Sequence, residues 1–290
     1  MAYNDNPYGQ QQGPYGQQQQ GPYGQQQGPY GQQQYQPSEL FPSLWADQED
    51  VARATAACLS RVFFKMFFGL LLTAIVSYGV WAFRDQPFIG QLSLQEFLFT
   101  NIFVFVGLLI AQMVLVIVLS ARVMKMSSSV SNVMFFVYAL LMGLTLSVIF
   151  LTYDIGVIFQ AFAVSSLMFG AMAIYGTITK RDLTRIGSLC LMALIGIIIA
   201  SIVNFLFFRS DMMAIVISYI GVLVFVGLTA YDTQKIKNML HDVNSGSAES
   251  VIVADRDEAI KRISVIGALK LYLDFLNLFL KILAIMGRRR

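Results

Sequence analysis

Six stretches of this chain run for 18 to 28 residues without a Lys, Arg, Asp or Glu: 66–83, 97–121, 126–153, 155–179, 186–208 and 212–231. An α-helix rises 1.5 Å per residue, so about 20 apolar residues cross the roughly 30 Å hydrocarbon layer of a bilayer. A helix satisfies its own backbone hydrogen bonds, which lipid cannot do for a loop or an open strand. A soluble helical core of this size would need charged outer faces, and these stretches have none. Apolar residues make up 56% of the chain and charged residues 13%, about half the share expected of a soluble domain. The pattern is that of an all-α membrane protein.

A seventh segment, 263–286, is long enough to cross but carries Lys270, Asp274 and Lys281. Gly267, Lys270, Asp274, Asn277 and Lys281 recur at intervals of 3, 4, 3 and 4, which places them on one helical face. Leu269, Leu273, Leu276, Leu280 and Leu283 cover the other side. A charge facing lipid at mid-membrane costs at least ~2.5 kcal/mol, so the stripe must face protein, water or a surface. An amphipathic helix lying in the interface is the competing reading, favoured by the basic residues Arg288, Arg289 and Arg290. The sparse charge on the polar face favours a spanning helix, which makes Lys270 and Asn277 candidate pathway-lining residues.

The first 40 residues are different in kind. Asn6-Pro7-Tyr8-Gly9-Gln10-Gln11-Gln12 recurs as Gly-Pro-Tyr-Gly-Gln-Gln-Gln from Gly13, Gly21 and Gly28. Pro and Gly in every unit break helix and strand, and no apolar seam offsets the ordering entropy. The expected organisation is a disordered tail over 1–40, a pre-membrane segment over 41–61 and a membrane domain over 62–290. The tail lacks the basic start and apolar core of a signal peptide.

Basic residues set the orientation. Arg53, Arg61, Lys65, Arg122, Lys125, Lys180, Arg181, Arg185, Lys235, Lys237, Arg256, Lys261 and Arg262 fall on one side, against Arg84 and Arg209 on the other. The N-terminus is therefore expected in the cytoplasm. The net charge of +3 gives no reason to expect a nucleic-acid partner. Cys58 and Cys190 have neither disulfide nor metal spacing, and the lone His241, in a polar segment read as a loop over 241–258, can build no catalytic or metal cluster. The reading is of a non-enzyme without a cofactor.

Residues 138–208 include YALLMGLTLSVIFLTY and AFAVSSLMFGAMAIYGTITKRDLTRIGSLCLMALIGIIIASIVNFLF. Ala230-Tyr231-Asp232-Thr233-Gln234 ends the sixth span, and Leu271-Tyr272-Leu273-Asp274-Phe275-Leu276-Asn277-Leu278-Phe279 lies in the seventh. Over about residues 59–290 this resembles the Bax inhibitor-1 (transmembrane Bax inhibitor motif, YccA-like) family, and the Tyr-Asp-Thr-Gln-Lys-Ile-Lys stretch resembles its bacterial members. The resemblance implies seven transmembrane helices, with the seventh central and wrapped by two three-helix layers. It implies a pH-controlled calcium leak in which Asp232 and Asp274 are the paired aspartates, sensing pH and holding calcium transiently, with Arg122 as a basic latch. A bacterial inner membrane is the expected location, with the bilayer, calcium ions and a membrane protein such as a protease as partners.

Other residues read more plainly. Asp154 and Asp211 suit solvated helix ends, although Asp154 is also a candidate for a cation entrance. Glu96 suits a helix start, Gln112 and Asn204 suit interhelical hydrogen bonds, and the basic cluster at 180–185 suits a headgroup anchor. Tyr231 and Tyr272 are packing residues or hydroxyl partners. The alternative function is a regulatory interaction protein that modulates a membrane protease or a stress or cell-death response. An intramembrane aspartyl protease would also pair two aspartates, but the Gly-x-Gly-Asp expected there is replaced by Leu271-Tyr272-Leu273-Asp274. The orientation is testable in sealed cells. Cysteines introduced at Gln20 and Ser247, in a background lacking Cys58 and Cys190, should resist an impermeant thiol reagent; labelling of Ser247→Cys from outside would invert the topology.

Overall fold

The structure, a computed structural model, describes residues 37–89, 92–246 and 256–287. The glutamine-rich repeat, Ser247 and residues 288–290 lie outside the described residues. The helices in chain order are α1 (Pro37–Ala82), α2 (Leu94–Thr100), α3 (Ile102–Arg122), α4 (Ser128–Leu146), α5 (Ile149–Thr152), α6 (Ile155–Ile178), α7 (Thr184–Val203), α8 (Asp211–Ser245) and α9 (Arg256–Met286). A two-stranded antiparallel ribbon, β1 (Pro87–Ile89) with β2 (Leu92–Ser93), precedes α2. Among the described residues, seven helices are long and apolar enough to cross a membrane, as the hydropathy pattern requires.

Helix ends follow from local chemistry. Ser93 and Glu96 form a reciprocal capping box at the start of α2, which is the helix-start role expected of Glu96. The third span is α4 followed by a short turn at Ser147 and Val148 and then α5. The fifth is α7 continued by a π-helical turn, Asn204–Phe208. Asn204 does not bond between helices, as a polar residue in an apolar run usually does. Its side chain accepts from the Ser210 N–H at 3.0 Å and donates to the Ser210 carbonyl at 3.2 Å, closing the α7–α8 turn. The segment read as a loop over 241–258 is helical at both ends: His241 lies on α8, which Gly246 terminates at φ 73°, and Arg256 opens α9.

The bundle belongs to residues Leu44–Arg290. Its interior is α9: 72% of its membrane-crossing stretch is buried inside the protein, against 11% to 39% for the other spans. It packs on α8, α6 and α4, while α8 also packs on α7 and α6, and α3 packs on α4. Small residues let the backbones approach. A Cβ at Gly176 of α6 would collide with the Ala230 carbonyl of α8, and one at Gly143 of α4 would stand 2.9 Å from the Thr73 carbonyl of α1. Gln112 ties α3 to α4 by donating to the Leu141 carbonyl at 2.9 Å and to the Thr145 hydroxyl, the interhelical bond expected of it.

Polar contacts fasten the first turns of α9. Glu258 accepts from the Ser128 N–H at 2.7 Å and hydroxyl at 3.0 Å, and Arg262 donates to the Met124 carbonyl at 2.6 Å. Arg256 donates to the Asn244 carbonyl at 2.6 Å, and the Asn244 amide donates to Thr55 at 3.2 Å. At the loop joining α6 to α7, the N–H and hydroxyl of Thr184 both donate to Asp182, and these bonds hold its carboxyl below the usual carboxylate range.

The Gly176 contact is backbone against backbone and cannot relax by a rotamer change. Gly176→Ala should therefore lower the melting temperature of the purified protein, at a cost of about 1–3 kcal/mol typical of overpacking. Gly170→Ala on the same helix, where a Cβ meets nothing within 4 Å, should leave it unchanged or raise it slightly.

Candidate functional site

Lys270 and Asp274 are separated by one helical turn and share a face of α9, and that face meets α8 where α8 carries Asp232. The Lys270 Nζ is 3.4 Å from Asp232 Oδ1, an ion pair in which the aspartate side chain is 13% exposed and the lysine 35%. Asp274 is 6% exposed and lies within electrostatic reach of both Asp232 and Lys270. Its Oδ2 is buried and finds no hydrogen-bond donor among the described residues. A buried polar atom without a partner costs free energy comparable to a lost hydrogen bond, and a buried charge costs more. The three groups form one electrostatic unit: two carboxylates and one ammonium, enclosed by protein.

The walls hold Asp274 in place. The Tyr272 hydroxyl is 2.7 Å from the Thr73 hydroxyl, which donates within the same node to the Gly69 or Ala139 carbonyl, at 3.0 and 2.9 Å. Tyr272 is completely buried and packs edge-on against Phe135 and Tyr138 of α4. The tyrosine beside the aspartate is thus both a packing residue and a hydroxyl partner. Phe275, on its other flank, packs edge-on against Phe162 and Phe169 of α6. Tyr231 packs on Gly187 of α7, where a Cβ would strike its ring. Gln234, two residues beyond Asp232, turns to the α6–α7 loop, accepting from the Leu183 N–H at 3.0 Å and donating to the Arg181 carbonyl at 2.8 Å.

Of the residues expected at a gate, the structure brings together Asp232, Asp274 and Lys270. Asn277 lies one turn further along the stripe, and its amide donates to the Leu273 carbonyl of its own helix at 2.9 Å. Arg122 stands apart: it is exposed in the last turn of α3 and makes no ion pair among the described residues. The cation on Asp232 is Lys270. Asp154, exposed at the start of α6, belongs to the far end of the bundle. The neighbouring Tyr153 ring meets Gly287, whose place on the chain is about 20 Å from Asp274 at 1.5 Å per residue. Carboxylate oxygens suit calcium, but no group of three or more potential metal ligands exists among the described residues. Two carboxylates with a tethered ammonium can attract and release a cation; they do not make a resident metal cage.

The staple from Glu258 to Ser128 and the loop contacts of Gln234 are absent from the sequence reading. The one hint was the position of Gln234, two residues past Asp232 and so on a different helical face.

The sequence pattern of the family described as Inhibitor of apoptosis-promoting Bax1 matches residues 55–290. The chain belongs to the Bax inhibitor-1 family. Among relatives in the family, the inner membrane protein YbhL of Escherichia coli K12 is 46% identical over 232 residues, covering 80% of this chain and 92% of YbhL. A protein of Borreliella burgdorferi is 39% identical over 232 residues, with 80% and 92% covered, and one of Deinococcus radiodurans is 38% identical over 231 residues, with 80% and 90% covered. The match takes in all seven spans of this Bax inhibitor-1 chain and leaves out the glutamine-rich repeat.

The ion pair is open to a double-mutant cycle. Lys270→Met should destabilise the purified protein, because it leaves Asp232 without its cation. In an Asp232→Asn background the same change should cost less, with a coupling of at least about 0.5 kcal/mol by chemical unfolding. Additive effects would mean that the two side chains do not interact.

Proposed function

We propose that this Bax inhibitor-1 family protein is a pH-sensitive leak pathway for calcium in a bacterial inner membrane, with its N-terminus in the cytoplasm and its gate at Asp232 and Asp274. The observation that carries this reading is the buried Asp274 carboxyl, with an oxygen that has no hydrogen-bond partner among the described residues, set beside Asp232 and Lys270 at the core of the bundle.

The chemistry follows from charge. With both carboxylates ionised and Lys270 protonated, the three groups sum to −1, and two sets of hard oxygens face a passing divalent cation. A proton on the pair removes that charge. Like charges close together in a dry site resist joint ionisation, so a proton and a cation compete for the same oxygens. Lys270 sets the resting state: its ammonium occupies Asp232 until a cation displaces it, the part expected of Arg122. The stripe continues through Asn277 to Lys281, and α4, α6 and α1 pack against the other faces of α9.

Calcium flux into proteoliposomes tests this. The parent protein should show flux that changes between about pH 6 and 8, and Asp232→Asn and Asp274→Asn should each flatten that profile. Asp154→Asn and Asp211→Asn should alter amplitude at most. If both pair variants keep the parent profile, the carboxylates are structural and the gate lies elsewhere.

A further inference from the structure

At the end of the bundle remote from Arg256, a cavity of about 410 Å³ opens between α7, the α7–α8 turn, α8 and α9. Arg209 and Lys281 line it, with the hydroxyl-bearing Ser201 and Ser218, the carboxylate of Asp211 and the ring of Phe205. It is separate from the aspartate site: Lys281 is seven residues beyond Asp274, about 10 Å along the helix.

The two cations are set there by the fold. The Lys281 stem lies across Gly221 of α8, where a Cβ would come within 3.1 Å of three of its carbons. Arg209 has a left-handed backbone, φ 47°, after the π-helical turn, and its N–H donates to the Asn204 carbonyl at 2.6 Å. Neither cation belongs to an ion pair within 4 Å among the described residues. Arg209, Lys281 and Asp211 sum to +1, and the positive end of α8 points to the same place. Beside the cavity, Phe205, Leu206, Phe207, Phe208 and Met212 are 58% to 78% exposed, an apolar belt of the kind that sits among lipid chains below the headgroups. Ala214, Ile217 and Ala284 continue the apolar wall inside it.

We infer that this cavity binds an anionic phospholipid, whose phosphodiester is held between Arg209 and Lys281 while its glycerol and upper acyl carbons rest on the apolar wall. Arginine matches phosphate with a fork of donors, and lysine adds a point charge on a stem that packs against α8. The net positive charge selects an anionic over a zwitterionic lipid, and the adjoining belt supplies lipid laterally, which selects a membrane phosphate over a dissolved one.

The test uses the full chain purified in detergent, with affinity for phosphatidylglycerol, phosphatidylcholine and inorganic phosphate measured by native mass spectrometry and thermal shift. The parent should hold phosphatidylglycerol in preference to both other probes. Lys281→Gln and Arg209→Asn, the latter keeping a residue that tolerates the left-handed backbone, should each weaken it about tenfold, the loss expected for one charged hydrogen bond. Lys281→Arg should restore most of the affinity, and Lys125→Gln in the exposed α3–α4 turn should match the parent. Affinities are compared among variants whose lipid-free melting temperature equals that of the parent; Arg209→Asn, on a turn, supplies the test if Lys281→Gln does not fold. Unchanged phosphatidylglycerol affinity in the charge variants, equal binding of phosphatidylcholine, or equal binding of inorganic phosphate would each overturn the assignment.

Discussion

A helix that carries Lys270, Asp274 and Lys281 through a bilayer can persist only inside other helices. On the lenient insertion scale each such group costs about 2.5–3.5 kcal/mol at mid-membrane if it faces lipid. The fold meets that requirement by making α9 the axis: its stripe faces α8, and α4, α6 and α1 pack against its other faces. The other spans then need little polarity of their own, and most expose their apolar side chains outward, as α3 and α7 do.

Close packing turns this enclosure into a site. Where Gly176 lets α6 lie against the Ala230 carbonyl, α8 is fixed in height and rotation two residues before Asp232. Tyr272 and Phe275 fix α9 on either side of Asp274, one through the Thr73 hydroxyl and the other between two phenylalanines. The carboxyl groups are therefore positioned by rigid elements and by contacts made around them. Asp274 Oδ2, held in this setting, has no hydrogen-bond partner among the described residues.

Much of this was legible in the residues. Charge-free runs of about 20 residues admit one solution in lipid, so the spans followed from length and hydropathy. The stripe on α9 followed from its 3-4 spacing, and Gln112 was readable because an amide in an apolar helix needs a partner. The partner of Asp232 was not. Periodicity gives the face of a helix but not the height at which it crosses another, and that height decides whether Lys270 or Arg122 reaches the carboxylate. The polar segment over 241–258 read as a loop because it is long and mixes acidic and basic residues, yet the helices continue into it, drawn by contacts such as Glu258 with Ser128 that join residues 130 positions apart. Asn204 illustrates the same limit: its residue type announced a hydrogen bond, and only the π-helical turn showed that the bond closes a corner.

Infrared difference spectroscopy on the purified protein in lipid nanodiscs, titrated from about pH 6 to 8, reads the protonation of the aspartate pair directly. A protonated-carboxyl signal should decline as the pH rises, vanish in Asp274→Asn and change in Asp232→Asn. A parent protein with no such signal, or a signal that survives unaltered in both variants, would contradict the assignment of these two carboxyls as the titrating gate.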